Sequence, residues 1–284
     1  MALKPLAEAI NLLKNPILWI PGLYAGIIIT TSLWLVFSGG EFIAGKLLFL
    51  GAVLFPFFVA GALGCMSSKD YGYETFFRSA VRFFFPVLLP VIVIIAVIIL
   101  LLILFSIPFA IAGFGNDPAL IGGLFIGITV PVIFFGFFTD NAAVYEGLKV
   151  FAALKRSMII ASRSGMKTIS CIVISGVGAG ALAMIATMIW SIVLADRFTQ
   201  YLDMGMAEQQ EIFSKFGLSD WQNILGPDGV AITATMVGLY AMILISILIA
   251  YKQKCYESIQ TESLETEMIP SSGEYDEKGR WYKY

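Results

Sequence analysis

Residues 91–105 read VIVIIAVIILLLILF, within a stretch, 86–107, that carries no charged side chain. The β-branched content would suit strands, but a charge-free run of this length reads as a membrane helix. Hydrocarbon about 30 Å thick takes about 20 residues at 1.5 Å rise each, and inside lipid every backbone N–H and C=O must be satisfied within the segment. Windows of this kind occur six times, and we expect spans at residues 17–37, 46–64, 86–107, 120–138, 168–194 and 230–251. Only 13% of the 284 residues are charged and 58% are hydrophobic, whereas a soluble domain is roughly a quarter charged. The expected fold class is all-α: a polytopic integral membrane protein with six transmembrane helices in three hairpins, each preceded by a cytoplasmic interfacial amphipathic helix.

The basic residues set the expected orientation. Fifteen of the eighteen Lys and Arg fall at the amino end, between spans two and three, between spans four and five, and after span six. Only Lys46, Arg197 and Lys215 fall in the other connections. Positive charge stays on the inner side, so both termini are expected in the cytoplasm. Residues 1–255 would form the transmembrane domain and 256–284 a largely disordered cytoplasmic tail, since the tail mixes acids, Ser and Gly without an apolar period. The connection 195–229 is acidic, with aromatic and aliphatic residues spaced for one or two short amphipathic helices before the turn signal Pro227-Asp228-Gly229.

Three segments have the pattern of a helix lying in the membrane interface. In residues 3–15, Leu6, Ile10 and Leu13 share a face opposite Lys4, Glu8 and Asn11. In residues 71–84, Phe76, Ala80 and Phe83 oppose Glu74, Arg78 and Arg82. The third, residues 140–167, has the most basic stripe. On a continuous helix Lys149, Arg156, Arg163 and Lys167 fall on one side, and Val144, Phe151, Leu154 and Met158 on the other. That stripe is a candidate site for anionic lipid headgroups, with a purely topological role as the alternative. An offset of 70 maps Leu6 onto Phe76 and Pro16 onto Pro86, and one of 78 maps Arg78-Ser79 onto Arg156-Ser157. These offsets suit a threefold repeat of interfacial helix, span, turn and returning span, or a coincidence of three amphipathic helices.

Chemistry-bearing residues are sparse. The chain has no histidine, which removes the commonest general base and transition-metal ligand. The span interiors hold no ionisable group, whereas enzymes and ion-coupled transporters usually place them there. Asp140 and Asn141, at the inner mouth of span four, are candidates for a helix cap or a cation site, the cap being favoured. Gly22 and Gly26, Gly123 and Gly127, and Gly176 and Gly180 form small-residue stripes expected to pack helices inside the protein, with a homodimer seam as the alternative. Cys65, Cys171 and Cys255 form no metal spacing and fall near the inner side, so reduced thiols are expected. No catalytic residue, metal or cofactor is expected.

Phe137, Thr139-Asp140-Asn141, Val144-Tyr145-Glu146 and residues 152–157, AALKRS, together resemble a pattern in poorly characterised six-helix prokaryotic membrane proteins. Those proteins are related to the membrane domain of glycerophosphodiester phosphodiesterases. The resemblance implies a fold and a location but no activity, because the hydrolase domain has no counterpart here. The function expected is non-enzymatic: a membrane scaffold or accessory subunit contacting lipids, some of them anionic, and a second copy or another membrane protein. A transporter or flippase for a lipid-like or small apolar solute is the alternative. Nucleic acid is not an expected partner.

Overall fold

The computed structural model describes residues 3–111, 118–202, 205, 215–268, 273–275 and 281–283. Helix α1, Leu3–Leu12, leads through a 3-10 turn, Pro16–Trp19, into α2, Ile20–Phe37. Then come α3, Glu41–Ser68, α4, Tyr73–Ile111, and α5, Pro118–Gly136. Two short helices follow, α6, Thr139–Tyr145, and α7, Val150–Arg163. The chain continues with α8, Gly165–Val193, α9, Ala195–Leu202, and α10, Leu218–Met268. Near the end, β1, Gly273–Tyr275, pairs antiparallel with β2, Trp281–Lys283. Six helices are long and apolar enough to cross a membrane: Pro16–Phe37, Glu41–Ser68, Tyr73–Phe109, Ala119–Tyr145, Gly165–Val193 and Leu218–Thr261.

Four local expectations change. The amphipathic segment 71–84 is not a separate helix, because α4 runs unbroken from Tyr73 through Pro86 and Pro90. Residues 140–167 are not one helix either. Gly147, at φ 62°, takes the left-handed conformation that glycine adopts without a Cβ clash, and the chain turns there between α6 and α7. The anticipated turn before span six is a kink inside α10, where Gly226 (φ 65°, ψ 177°) precedes Pro227. Finally, the anticipated unstructured tail begins as helix: α10 continues past residue 255, and Tyr256 and Ile259 are buried. Of the loop positions expected to form amphipathic turns, 203–204 and 206–214 lie outside the described residues, as do 112–117 and most of 269–284.

The spans form an arc whose neighbours run α8, α10, α2, α3, α4, α5. It does not close, since α5 and α8 do not pack along their length. The tightest seam lies between α2 and α10. A Cβ added at Gly26 would lie 2.7 Å from the Gly238 carbonyl oxygen, and one at Gly22 would collide with the Met242 carbonyl. Helices in lipid gain little from burying one apolar surface against another, so close backbone approach at small residues is how they associate. The other four candidate packing glycines have no such role here. Among the described residues, Gly123 and Gly127 on α5, and Gly176 and Gly180 on α8, have nothing within 4 Å of an added Cβ. They sit on the two helices that end the arc, where no neighbouring helix faces them.

The buried cluster is not at mid-span. It gathers Leu13, Leu63, Phe76, Phe138, Tyr251 and Tyr256 at the end of the bundle that carries most of the Lys and Arg. A smaller cluster, Leu194, Leu225 and Val230 with Trp190 and Phe198 against it, closes the opposite end. A disulfide joins Cys171 of α8 to Cys255 of α10, Cα–Cα 6.5 Å, where reduced thiols were expected, and Cys65 stays free and buried.

The two glycine environments predict opposite outcomes. Gly26→Ala should cost about 1–3 kcal/mol by forcing α2 from α10, whereas Gly180→Ala should be neutral or gain up to about 1 kcal/mol of helix propensity. Thermal unfolding of both variants in the same detergent checks this. Equal loss in the two would contradict the packing described.

Candidate functional site

The polar residues converge at the buried, basic end, where α6 and α7 meet the far end of α10. Lys252, Tyr256 and Gln260 recur at four-residue spacing on α10, and Gln253 and Glu257 repeat it beside them, so both rows point the same way. Helix α6 brings Asp140, Asn141 and Tyr145 to meet them. The Lys252 ammonium lies 2.6 Å from Asp140 Oδ1 and over the Phe137 ring, 5.1 Å from its centre. Asn141 Nδ2 donates to Gln253 Oε1 at 2.5 Å, and Tyr145 OH donates to Glu257 Oε1 at 3.0 Å. All three pairs share a sequence separation of 112, so α6 and α10 run parallel and in register here. Glu257 also takes Lys254 Nζ at 2.6 Å and Gln253 Nε2 at 3.2 Å.

Glu146 is the second hub. It follows the end of α6, just before the Gly147 turn, and its Oε1 accepts three donors. These are Tyr256 OH at 2.6 Å, Gln260 Nε2 at 2.7 Å and Arg156 Nε at 2.8 Å. Burial would raise its carboxyl pKa, but the bonds from Tyr256 and Arg156, the Arg156 charge and Gln260 outweigh that and hold it below the ordinary carboxylate value. Arg156 is correspondingly raised, first by its hydrogen bond to Glu146. One residue on, the buried Ser157 donates to the Phe135 carbonyl at 2.7 Å and accepts from the Phe138 N–H at 3.0 Å. It ties α7 across the break between α5 and α6, where two backbone groups need partners.

The sequence candidates divide accordingly. Asp140 does not cap a helix through its side chain in the expected way. It sits in the first turn of α6, accepts the neighbouring Asn141 N–H at 2.9 Å, and is held by Lys252. Asn141 is fully buried, and its Oδ1 has no hydrogen-bond partner among the described residues. The basic stripe is broken up: Lys149 is exposed before α7, Arg156 is held by Glu146, Arg163 is exposed at the end of α7, and Lys167 belongs to α8. The apolar face drawn opposite them is also split, with Val144 buried on α6 while Phe151 and Met158 of α7 are exposed.

Tyr256, Glu257 and Gln260 were missed because they fell in the segment read as a tail, and Gln253 because it lay just past the expected end of span six. A signal was available: no Gly or Pro follows span six before Pro270, and the four-residue spacing continues the helix. The three carboxylates here are each engaged by a cation, and Glu146 and Glu257 also by amide and phenol donors. The Asp140–Lys252 and Glu146–Arg156 pairs and the Tyr145–Glu257 bond hold helices together.

A pH dependence follows with a definite sign. The folded-state pKa of Glu146 lies below its ordinary value of 4.5, so its contribution is complete above that pH and is lost as pH falls through the lowered folded value. Near neutral pH the wild type should exceed Glu146→Gln by about 1–2 kcal/mol. Thermal unfolding of both proteins from pH 7 to pH 3 should show that advantage constant to about pH 5 and shrinking below about pH 4.

Comparison with protein-family models, curated proteins and solved structures returns no match, and nothing found there links the chain to a glycerophosphodiester phosphodiesterase membrane domain.

Proposed function

We propose that this chain is a non-enzymatic scaffold or accessory subunit of a prokaryotic plasma membrane, with both termini cytoplasmic, that contacts lipid or a partner membrane protein through α5 and α8. The observation that carries this reading is the uneven distribution of packing. One end of the bundle is locked by the ion pairs and hydrogen bonds of α6, α7 and α10. Meanwhile Ile121, Phe125 and Ile126 of α5, and Val173, Val177 and Met184 of α8, are exposed. An enzyme needs reactive groups facing a substrate, whereas a scaffold needs a rigid frame and open helix faces. The resemblance of residues 137–157 to six-helix prokaryotic membrane proteins agrees with this location.

One observation favours the transporter reading. A groove of about 200 Å³ between α8 and α10 is lined by Leu182, Ile185, Ile189, Met236, Leu239 and Ile243. It lies between the Tyr240 OH to Ala179 carbonyl bond, 3.3 Å, and the Trp190 Nε1 to Thr233 bond, 2.9 Å. Its apolar walls suit an acyl chain and not a polar solute, which confines any transported class to lipid-like molecules.

Photo-crosslinking amino acids placed at Ile126 and Val177 in native membranes test the scaffold reading. Discrete protein adducts from both positions, and none from the buried Leu63, are expected. Lipid adducts alone, together with movement of a fluorescent phospholipid between leaflets in proteoliposomes, would replace it with the transporter.

Headgroup recognition is also part of the proposal, and Arg156 must be separated from it. Besides Arg156, four basic residues lie between 149 and 167, and a basic residue near an anionic surface contributes about 1 kcal/mol. Replacing the exposed Lys149 and Lys155 by Gln should lower co-purified anionic lipid several-fold with little loss of stability. Arg156→Gln should instead destabilise the protein, since it removes a donor from Glu146. Mass spectrometry of bound lipid, read beside the unfolding temperature, separates the two.

A further inference from the structure

The base of α8 is joined to α10 by a covalent bond. Cys171, two turns into α8, is joined to Cys255 across a sequence separation of 84. Around it α8 is thinly embedded. Thr168 and Cys171 are its buried residues, while Met166, Ile169 and Val173 on the adjoining turns are exposed. Farther along the helix, the Ala179 carbonyl and Trp190 make hydrogen bonds to α10. Cys255 lies between Lys254, which holds Glu257, and Tyr256, which holds Glu146. The disulfide therefore fastens a sparsely buried span to the polar network of the basic end.

We propose that Cys171–Cys255 is a reversible redox tether. Oxidised, it fixes the base of α8 to α10, and reduced, it lets that base hinge at Ser164 while the outer contacts hold. The proposal rests on the orientation given above, which puts both sulfurs on the cytoplasmic side, where thiols are ordinarily kept reduced. A disulfide there forms under oxidising challenge and reverses afterwards, unlike one in an oxidising compartment. Low-molecular-weight disulfide such as glutathione disulfide is the oxidant class. Both cysteines are buried while the bond is made, so oxidation starts from the hinged, reduced state, in which the Cys171 thiolate attacks one glutathione sulfur. The oxidant's S–S bond breaks, a mixed disulfide forms and one glutathione thiolate leaves. The Cys255 thiolate then attacks the Cys171 sulfur, forming the protein bond and expelling the second glutathione thiolate. The two protons given up by the cysteines end on the two glutathiones. The protein loses two electrons and the oxidant gains two. A dithiol runs the sequence in reverse.

The test uses the full chain in nanodiscs, equilibrated with glutathione disulfide or with dithiothreitol, its thiols counted by alkylation and mass spectrometry. Hydrogen exchange is read in parallel. Amides of residues 165–174 should exchange about tenfold faster or more in the reduced protein, because local opening there no longer has to strain a crosslink. Residues 59–66 of α3 should be unchanged. The Cys171→Ser/Cys255→Ser double variant should behave as the reduced protein in either buffer. Identical exchange in both redox states, or thiols that glutathione disulfide fails to oxidise, would overturn the tether. A membrane-impermeant maleimide applied to reduced protein in a Cys65→Ala background separates the orientation from the switch. Labelling only in inside-out vesicles is expected. Labelling only in right-side-out vesicles would overturn the cytoplasmic placement and the regulatory reading with it, even where exchange responds to redox.

Discussion

Lipid tails are as apolar as the leucines they surround, so the spans of this protein gain little by turning apolar faces toward one another. Cohesion must come from backbones that approach closely and from polar groups that pair. Both are present, and they are localised. Gly22, Gly26 and Gly238 bring α2 and α10 together until carbonyl oxygens occupy the space where a Cβ would project. Gly61 likewise lets the Phe76 ring lie 2.7–2.9 Å from where its Cβ would be, joining α3 to α4. These contacts build a central unit of four helices from which α5 and α8 extend.

The polar pairs then lock one end of that unit. Where α6 and α10 run parallel in register, each residue of one helix meets the same partner position on the other, and Asp140, Asn141 and Tyr145 find Lys252, Gln253 and Glu257 in succession. Water reaches this region only partly, so leaving a donor or acceptor without its partner is costly, whereas each pair that forms is strengthened by its surroundings. The three donors on one oxygen of Glu146 are the clearest case. Its side chain joins α6, α7 and α10 at once. The result is a frame stiff at its basic end with two helices projecting from it, one of them fastened by a disulfide.

The six spans were legible because membrane thickness imposes a length and hydrocarbon forbids charge, and both can be counted along a chain. The glycine stripes were only half legible. A small residue permits close approach but does not name the neighbour, and the same spacing that packs α2 against α10 lies open on α5 and α8. The basic stripe failed for a local reason. One left-handed glycine, Gly147, breaks the helix on which Lys149 and Arg156 would have kept the phase of Val144. The polar site was hidden because composition, rich in acids and amides, outweighed the four-residue spacing that marks residues 252–260 as helix.

By itself the sequence determined the number of spans, their places in the chain and the asymmetry of charge between their ends. These follow from transfer free energies, which depend on what each residue is and not on what it touches. Which helices meet, which glycines are buried, that Cys171 reaches Cys255 and that Glu146 gathers donors from two other helices were decided only by the tertiary structure. Such contacts join residues about 10 to 110 positions apart. Their partners are chosen by the competition among all packings of six similar apolar helices, and no local pattern records the outcome of that competition.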